Sequence, residues 1–233
     1  MLHAFFVPKS PQKESRSSIT LWVTVIVIAG SLILGSIALQ KRLWSAAGLP
    51  KLPIAGKVDP TGATFPERLG TDVSWADLKG KVVVAAYAYS RCPHGCSGVV
   101  VHMLKLRDAF PGNPSLHLVS VAAYPELDTP ASLKTFAAGL GVKDSDPWWW
   151  ISGDRHKIWA FMTDQLKFLP SREVPEKDRL SPDDVVEHDL RAVLIDKQGQ
   201  IRGLYPVMDS RIEIAEVALK RLIQDVDRLI QEP

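Results

Sequence analysis

The chain has 233 residues, a formal net charge of +2, 46% hydrophobic and 23% charged residues, which excludes global disorder and leaves room for one anchor and one ordinary domain. Its basic residues form no run longer than the pairs Lys41-Arg42 and Lys220-Arg221, and with no Lys/Arg block or basic–aromatic stripe a nucleic-acid partner is excluded. Its two cysteines lie together in Cys92-Pro93-His94-Gly95-Cys96, which rules out a framework of disulfides stapling distant loops and marks a local device.

Ile19 to Leu39 carries no charge. At about 1.5 Å per residue it is long enough to cross a hydrocarbon core of about 30 Å. It exceeds a signal-peptide core, and Gln40-Lys41-Arg42 offers no small-residue cleavage site. Residues 19–39 therefore read as an uncleaved transmembrane helix behind a short polar tail, residues 1–18. Lys9, Lys13 and Arg16 precede it and Lys41, Arg42, Lys51 and Lys57 follow, so charge does not set its orientation. Residues 40–56, with Pro50 and Pro53, read as a linker, and residues 57–233 as the globular domain.

Within that domain, Lys81 to Tyr89 is a continuous apolar, β-branched run, as a central buried strand requires. The cysteine loop follows, then a helix over Ser97 to Ala109 and a second strand over Leu116 to Ala122. Asp128-Thr129-Pro130 opens a helix over Ala131 to Leu140, with Asp128 read as its cap and Pro130 in the first turn. Trp148 to Ser152 reads as a short strand with one tryptophan in the core and the others at the rim. Asp154 to Phe168 reads as one amphipathic helix, and Leu169 to Asp184 as an irregular excursion. Ala192–Asp196 and Ile201–Tyr205 flank Lys197-Gln198-Gly199-Gln200 as a hairpin, and Ser210 to Gln231 is a terminal helix. This order predicts an α/β domain of thioredoxin-like fold, a mixed sheet flanked by helices.

Cys92 and Cys96 stand where a strand hands over to a helix, and backbone N–H groups at a helix start favour thiolate over thiol. Thiolate is both nucleophile and metal ligand. Three residues intervene, where thiol–disulfide exchange proteins of the thioredoxin type have two. On a helix, cysteines so spaced would hold their Cβ atoms about 5–6 Å apart, wider than the roughly 3.5–4.5 Å of a relaxed disulfide. With Cys92 in the loop, the sulfurs can bond to each other or open around a soft cation. Copper(I) suits two thiolates plus an imidazole. Six histidines are available, and His188 lies just before the strand Ala192–Asp196. His94 sits between the cysteines and reads as solvent-facing; His102, His117 and His156 read as structural, and Met103 and Met162 as core.

At this point the sequence resembles the SCO family (synthesis of cytochrome c oxidase; SCO/SenC). Tyr89-Ser90-Arg91-Cys92-Pro93-His94-Gly95-Cys96 is similar to its cysteine signature, and Pro125-Glu126-Leu127-Asp128-Thr129-Pro130 to its Asp-Thr-Pro stretch. Trp150-Ile151-Ser152-Gly153 is similar to its Trp-x-x-Leu-Thr-Gly segment, and His188 with Leu194-Ile195-Asp196-Lys197-Gln198-Gly199 to its histidine block. The resemblance covers residues 57 to 228 in the family's order. It implies a metallochaperone rather than an enzyme in the turnover sense, in which Cys92, Cys96 and His188 bind a copper ion and pass it to an oxidase subunit or other cuproenzyme. With the anchor and no Arg/Ser-rich transit segment, it implies a bacterial plasma membrane with the domain on the periplasmic side. Ser97, His94, Tyr124 and Glu187 depart from the family's residues around the ligands and bear on the partner. The alternative is a membrane-tethered thiol–disulfide oxidoreductase or redox sensor using Cys92 and Cys96 alone. Peroxidase chemistry of the peroxiredoxin type would want Thr where Tyr89 stands.

Overall fold

The computed structural model describes residues 16–47, 51–92 and 97–232, with the backbone alone for residues 16–19, 41–47 and 97. The chain divides into two units, 1–51 and 52–233.

In the first unit a single helix, α1, runs from Arg16 to Ala47. Its stretch Thr20–Gln40 is long and apolar enough to cross a membrane by length and composition. Leu21, Ile26, Leu32 and Leu34 stand more than half exposed. Two of its hydroxyls turn back on the helix: Thr24 Oγ1 donates to the Thr20 carbonyl at 2.9 Å and Ser36 Oγ to the Ile33 carbonyl at 2.8 Å. That is how a polar group is satisfied where water is absent.

The second unit is built on β4 (Val82–Ala88), which is buried along its whole length. Val82, Val84, Ala86 and Ala88 point to one core, with Met103, Leu106, Leu133, Trp150 and Leu222. Val83, Ala85, Tyr87 and Tyr89 point to the other, with Phe65, Trp75, Ile158 and Met162. A strand covered on both faces has no polar side to show, hence its unbroken apolar sequence. β4 pairs in parallel with β5 (Leu116–Ala122), and β5 with β6 (Trp148–Ile151). On the other side β9 (Ala192–Ile195) and β10 (Gln200–Tyr205) follow, antiparallel, and β1 (Gly56–Lys57) adds an antiparallel edge to β10. The six strands lie in the order β1-β10-β9-β4-β5-β6. Helices α2 (Ser97–Ala109), α3 (Pro130–Gly139) and α5 (Ile212–Gln231) supply the first core. The result is the thioredoxin-like mixed sheet that the element order predicted.

The short ribbon β2 (Thr64–Pro66) and β3 (Asp72–Ser74) lies between β1 and β4 in sequence. The segment after β2 covers the β6 edge. Glu67 Oε1 accepts the Trp150 N–H at 3.0 Å, and the Arg68 N–H donates to the Trp150 carbonyl at 3.0 Å. This blunts an edge that would otherwise invite pairing.

Three elements differ from expectation. The helix begun at Arg155 (α4, Arg155–Ala160) is capped by Asp154, then widens into a π-turn over Phe161–Gln165 and ends at Lys167 with φ 63°. Ile158, Phe161, Met162 and Leu166 keep the spacing of one helical face and are buried, and Phe168 is buried beyond the helix end. Two tryptophans, Trp148 and Trp150, are core residues, stacked at 5.0 Å, because strand parity puts both on one face. Trp149 turns to the other side against His117 at 4.5 Å. Finally, α3 is capped by Thr129, whose side chain accepts from the Ser132 N–H, and not by Asp128.

Candidate functional site

β4 leaves the sheet at Ala88 and carries the chain through Tyr89, Ser90 and Arg91 to Cys92. Each of these residues is tied to another part of the molecule. Tyr89 is buried and its hydroxyl donates to the Asp183 carbonyl. Burial, reinforced by the Asp183 charge, pushes its phenol up to about 12. The Ser90 N–H donates to Asp128 Oδ2 at 3.1 Å and its hydroxyl to Asp128 Oδ1. Asp128 is fully buried, and burial raises its carboxyl above the ordinary range against the pull of those two bonds and of Arg91. Arg91 stands exposed, 3.9 Å from the Asp183 carboxylate. The Cys92 N–H then turns back to the Tyr89 carbonyl at 3.4 Å. Cys92 is half-buried against the second core and its sulfur is in a disulfide. Cys96 and His94 lie outside the described residues, and α2 begins at Ser97.

His188 lies in the segment that leads into the neighbouring strand. β9 runs antiparallel to β4, with Ala192 opposite Ala86. The residues before β9 and those after β4 therefore emerge from the same end of the sheet. His188 follows the short strand β8 (Val186–Glu187), which pairs with β7 (Arg172–Glu173) in the excursion. Its ring lies 5.3 Å from the Tyr87 ring. Nδ1 is 2.9 Å from the Asp189 carbonyl. A carbonyl only accepts, so Nδ1 is the donor there, and in the neutral form of the ring Nε2 is then the nitrogen able to act as a metal ligand. The loop is pinned by the buried Asp189 carboxylate, which accepts the Leu169 N–H at 2.9 Å and the Arg191 N–H at 3.0 Å. Burial works to raise that carboxyl, but the Arg191 side chain and the two backbone N–H groups hold it below the ordinary range. A cavity of about 600 Å³ opens beside His188, lined by Arg172, Glu173, Asp178, Asp184 and Glu187 among others.

Among the described residues no three His, Cys, Asp or Glu side chains are grouped to hold a metal. Cys92 and His188 are the part of the sequence-predicted set that the described residues contain. Of the other candidates, Met103 and Met162 are buried core, and His156 is exposed on α4. His117 is driven down to about 4 by burial, with Lys81 adding to it. The supports that sequence reasoning missed are Asp128 beneath Ser90, Asp183 beside Tyr89 and Arg91, and Tyr87 under His188. All three are long-range pairings; only the parity of β4, which puts Tyr87 and Tyr89 on one face, was available from the sequence.

Comparison with known proteins places this arrangement among others. The model of the SCO1/SenC family matches residues 63–224. A SCO1 protein homolog of Bacillus subtilis (strain 168) is 28% identical over 153 residues, covering 65% of this chain and 74% of the relative. The structure of BsSco, a member of the Sco family of cytochrome c oxidase assembly proteins, superposes with a TM-score of 0.60 at 22% identity, over 79% of this chain and 100% of BsSco. ScoI of Bradyrhizobium japonicum with copper bound gives 0.53 at 23% identity, over 72% and 99%. The likeness to these two structures is one of fold.

Proposed function

The chain belongs to the SCO1/SenC family, and from that premise we propose that it is a membrane-anchored copper-binding protein that assists assembly of the copper site of a cytochrome c oxidase or similar cuproenzyme. The ion is held by the thiolates of Cys92 and Cys96 and the imidazole of His188, and passes to the receiving protein by ligand exchange. Residues 19–39 form the anchor, 40–56 the linker and 57–233 the copper-binding domain, on the outer side of a bacterial plasma membrane. The observation that carries this reading is the β4–β9 pairing, which sends the Cys92 and His188 loops out of the same end of one sheet. The donor chemistry supports it, since thiolate and neutral imidazole select a soft cation such as copper(I). So does the company it keeps, because B. japonicum ScoI has been seen with copper bound and BsSco belongs to cytochrome c oxidase assembly proteins. α1 supports the anchor by its length and composition.

The test is an anaerobic copper(I) titration of the reduced full chain in detergent against a competing chelator, with His188→Ala beside wild type. One tightly held copper per wild-type chain is expected. The variant should lose more than the about 10–100-fold that removal of a mere outer-shell partner costs. Binding indifferent to His188 would overturn the three-ligand site.

The disulfide at Cys92 favours a second reading. In thiol–disulfide exchange, a partner's dithiol would give two electrons and two protons to this disulfide and become a disulfide itself, or the reverse. That role needs Cys92 and Cys96 and is untouched by His188→Ala, so the same variant separates the two.

A further inference from the structure

Arg155, the first residue of α4, has no part in the Cys92–Cys96–His188 set. Its guanidinium reaches two carboxylates on different parts of the chain: Nε lies 3.2 Å from Glu126 Oε1 and Nη1 2.7 Å from Glu173 Oε1. Two rings hold the same group, those of Tyr124 and Trp159, with centroids 5.7 and 5.4 Å from the guanidinium carbon. The Arg155 side chain is only 20% exposed, while both carboxylates stay open to solvent.

Each carboxylate leads to one half of the site. Glu126 lies in the turn after β5, where the Tyr124 carbonyl accepts the N–H groups of Leu127 and Asp128 at 3.1 and 3.0 Å. Asp128 in turn accepts from Ser90, two residues before Cys92, and the Tyr124 ring meets the Tyr89 ring edge-on at 6.3 Å. α4 grips this turn a second time, because the Trp159 indole N–H donates to the Ala123 carbonyl at 2.9 Å. Glu173 lies on β7 opposite Val186 of β8, and the Val174 N–H donates to the Val185 carbonyl at 3.0 Å. Arg172 Nε donates to Glu187 Oε2 at 2.7 Å across the same ribbon, and His188 is the next residue. One guanidinium therefore joins the turn that steadies the cysteine loop to the ribbon that delivers His188.

Ion pairs with solvent-open carboxylates add little to stability, so the value of this arrangement lies in its geometry. A planar fork holds two acceptors at a set separation and lies against rings, which a lysine ammonium does not do. A metal ligated from two loops needs them held within about 0.5 Å of the binding geometry. Resting on the copper reading above, we propose that Arg155 is a positioning residue of the metal site: by bridging Glu126 and Glu173 it sets the distance between the Cys92 loop and His188.

The first test needs no metal. The imidazole proton resonances of the six histidines are followed in the copper-free full chain in detergent, that of His188 being the one missing from His188→Ala. Glu126→Gln alters only the cysteine-side end of the bridge. It should move the His188 resonance and leave that of His117, on β5, in place. In an Arg155→Leu background the same substitution should leave His188 where that background puts it. A His188 resonance that ignores Glu126→Gln, or that follows it equally without Arg155, overturns the bridge.

The second test titrates the reduced chain with copper(I) against a competing chelator. Arg155→Lys keeps the charge and loses the fork; it should weaken binding about 10-fold, the low end of what changes beyond the ligands cost, with Tm unchanged. In a His188→Ala background it should cost nothing further, since it acts through His188. Wild-type affinity in Arg155→Lys, or an equal loss in the His188→Ala background, overturns the positioning role and leaves the copper reading standing. Binding indifferent to His188 itself overturns the copper reading and this role with it.

Discussion

Replacing Asp128 by alanine asks whether the loop that carries Cys92 is held from outside its own sequence. Asp128 has no exposed surface, and both its oxygens accept from Ser90, one from the backbone N–H at 3.1 Å and one from the hydroxyl. Alanine removes both acceptors. The Ser90 hydroxyl, half-exposed, can turn to water, whereas an N–H left without a partner costs about 1–3 kcal/mol. Release of a carboxylate from a site whose burial already penalises its charge offsets part of this. A net loss of about 2 kcal/mol follows, or about 4–8 °C in Tm for a domain of this size. Thermal unfolding of the full chain in detergent, followed by tryptophan fluorescence, measures it.

A double-mutant cycle with Ser90→Ala isolates the pair and should show a coupling of about 0.5–3 kcal/mol. Additive effects would refute the idea that Asp128 acts through Ser90. The pH dependence has a fixed sign. The folded carboxyl is raised, so its contribution is complete below the ordinary carboxylate range and is lost as pH rises through the folded value. The alanine penalty should therefore be larger in mild acid than at neutral pH.

Three other measurements bear on neighbouring parts of the molecule. His117 is lowered from 6.5 to about 4 by burial, so the folded state binds fewer protons and stability falls as pH drops from about 6.5 to about 4, by up to about 3 kcal/mol; His117→Gln should flatten that part of the stability–pH curve relative to wild type. Ser120 Oγ is the partner of the buried Trp148 indole N–H at 3.0 Å; Ser120→Ala should cost about 1–3 kcal/mol, read as a lower Tm, because it leaves that donor unmatched. His188→Ala should weaken copper(I) binding while leaving Tm within about 2 °C of wild type, since it deletes a ligand near the surface and not a core side chain.

What was legible in the sequence follows the strength of local signals. β4, β5, β9 and β10 announced themselves by apolar runs and turn residues, and α2 and α5 by helical spacing, because those patterns are set by burial on known faces. β1, β2 and β3 were not read. Each is two or three residues long and owes its extended form to its partner: Gly56 pairs with Ile201 far along the chain, and β2 and β3 pair with each other. The α4 break could not be read from the amphipathic pattern of residues 154–168, because Ile158, Phe161, Met162 and Leu166 keep the spacing of one regular helical face through the π-turn. Asp128 shows the same limit at the site. Beside Thr129 and Pro130 it has the form of a helix cap, but Thr129 caps the helix and Asp128 turns back to Ser90, 38 residues earlier.

The placement of His188 rests on strand register more than on its own loop. Ala86 faces Ala192 across the β4–β9 ladder, and a slip of one residue would turn β9's core side chains to the wrong face. Val193 and Ile195 feed one core while Ala192 and Leu194 feed the other, so both cores enforce the register and with it the end of the sheet from which His188 emerges. Tyr87, two residues before Tyr89 on the same face of β4, meets the His188 ring, while Tyr89 ties the cysteine-bearing loop to Asp183. One strand face therefore holds both halves of the proposed site. The sulfur of Cys92 cannot be in a disulfide and serve as a thiolate ligand together, so copper loading and thiol exchange exclude one another at any moment. A β4 buried along its whole length, with Cys92 beyond its end, suits the alternation that the proposed site requires, in which reduction frees the sulfurs to act as ligands.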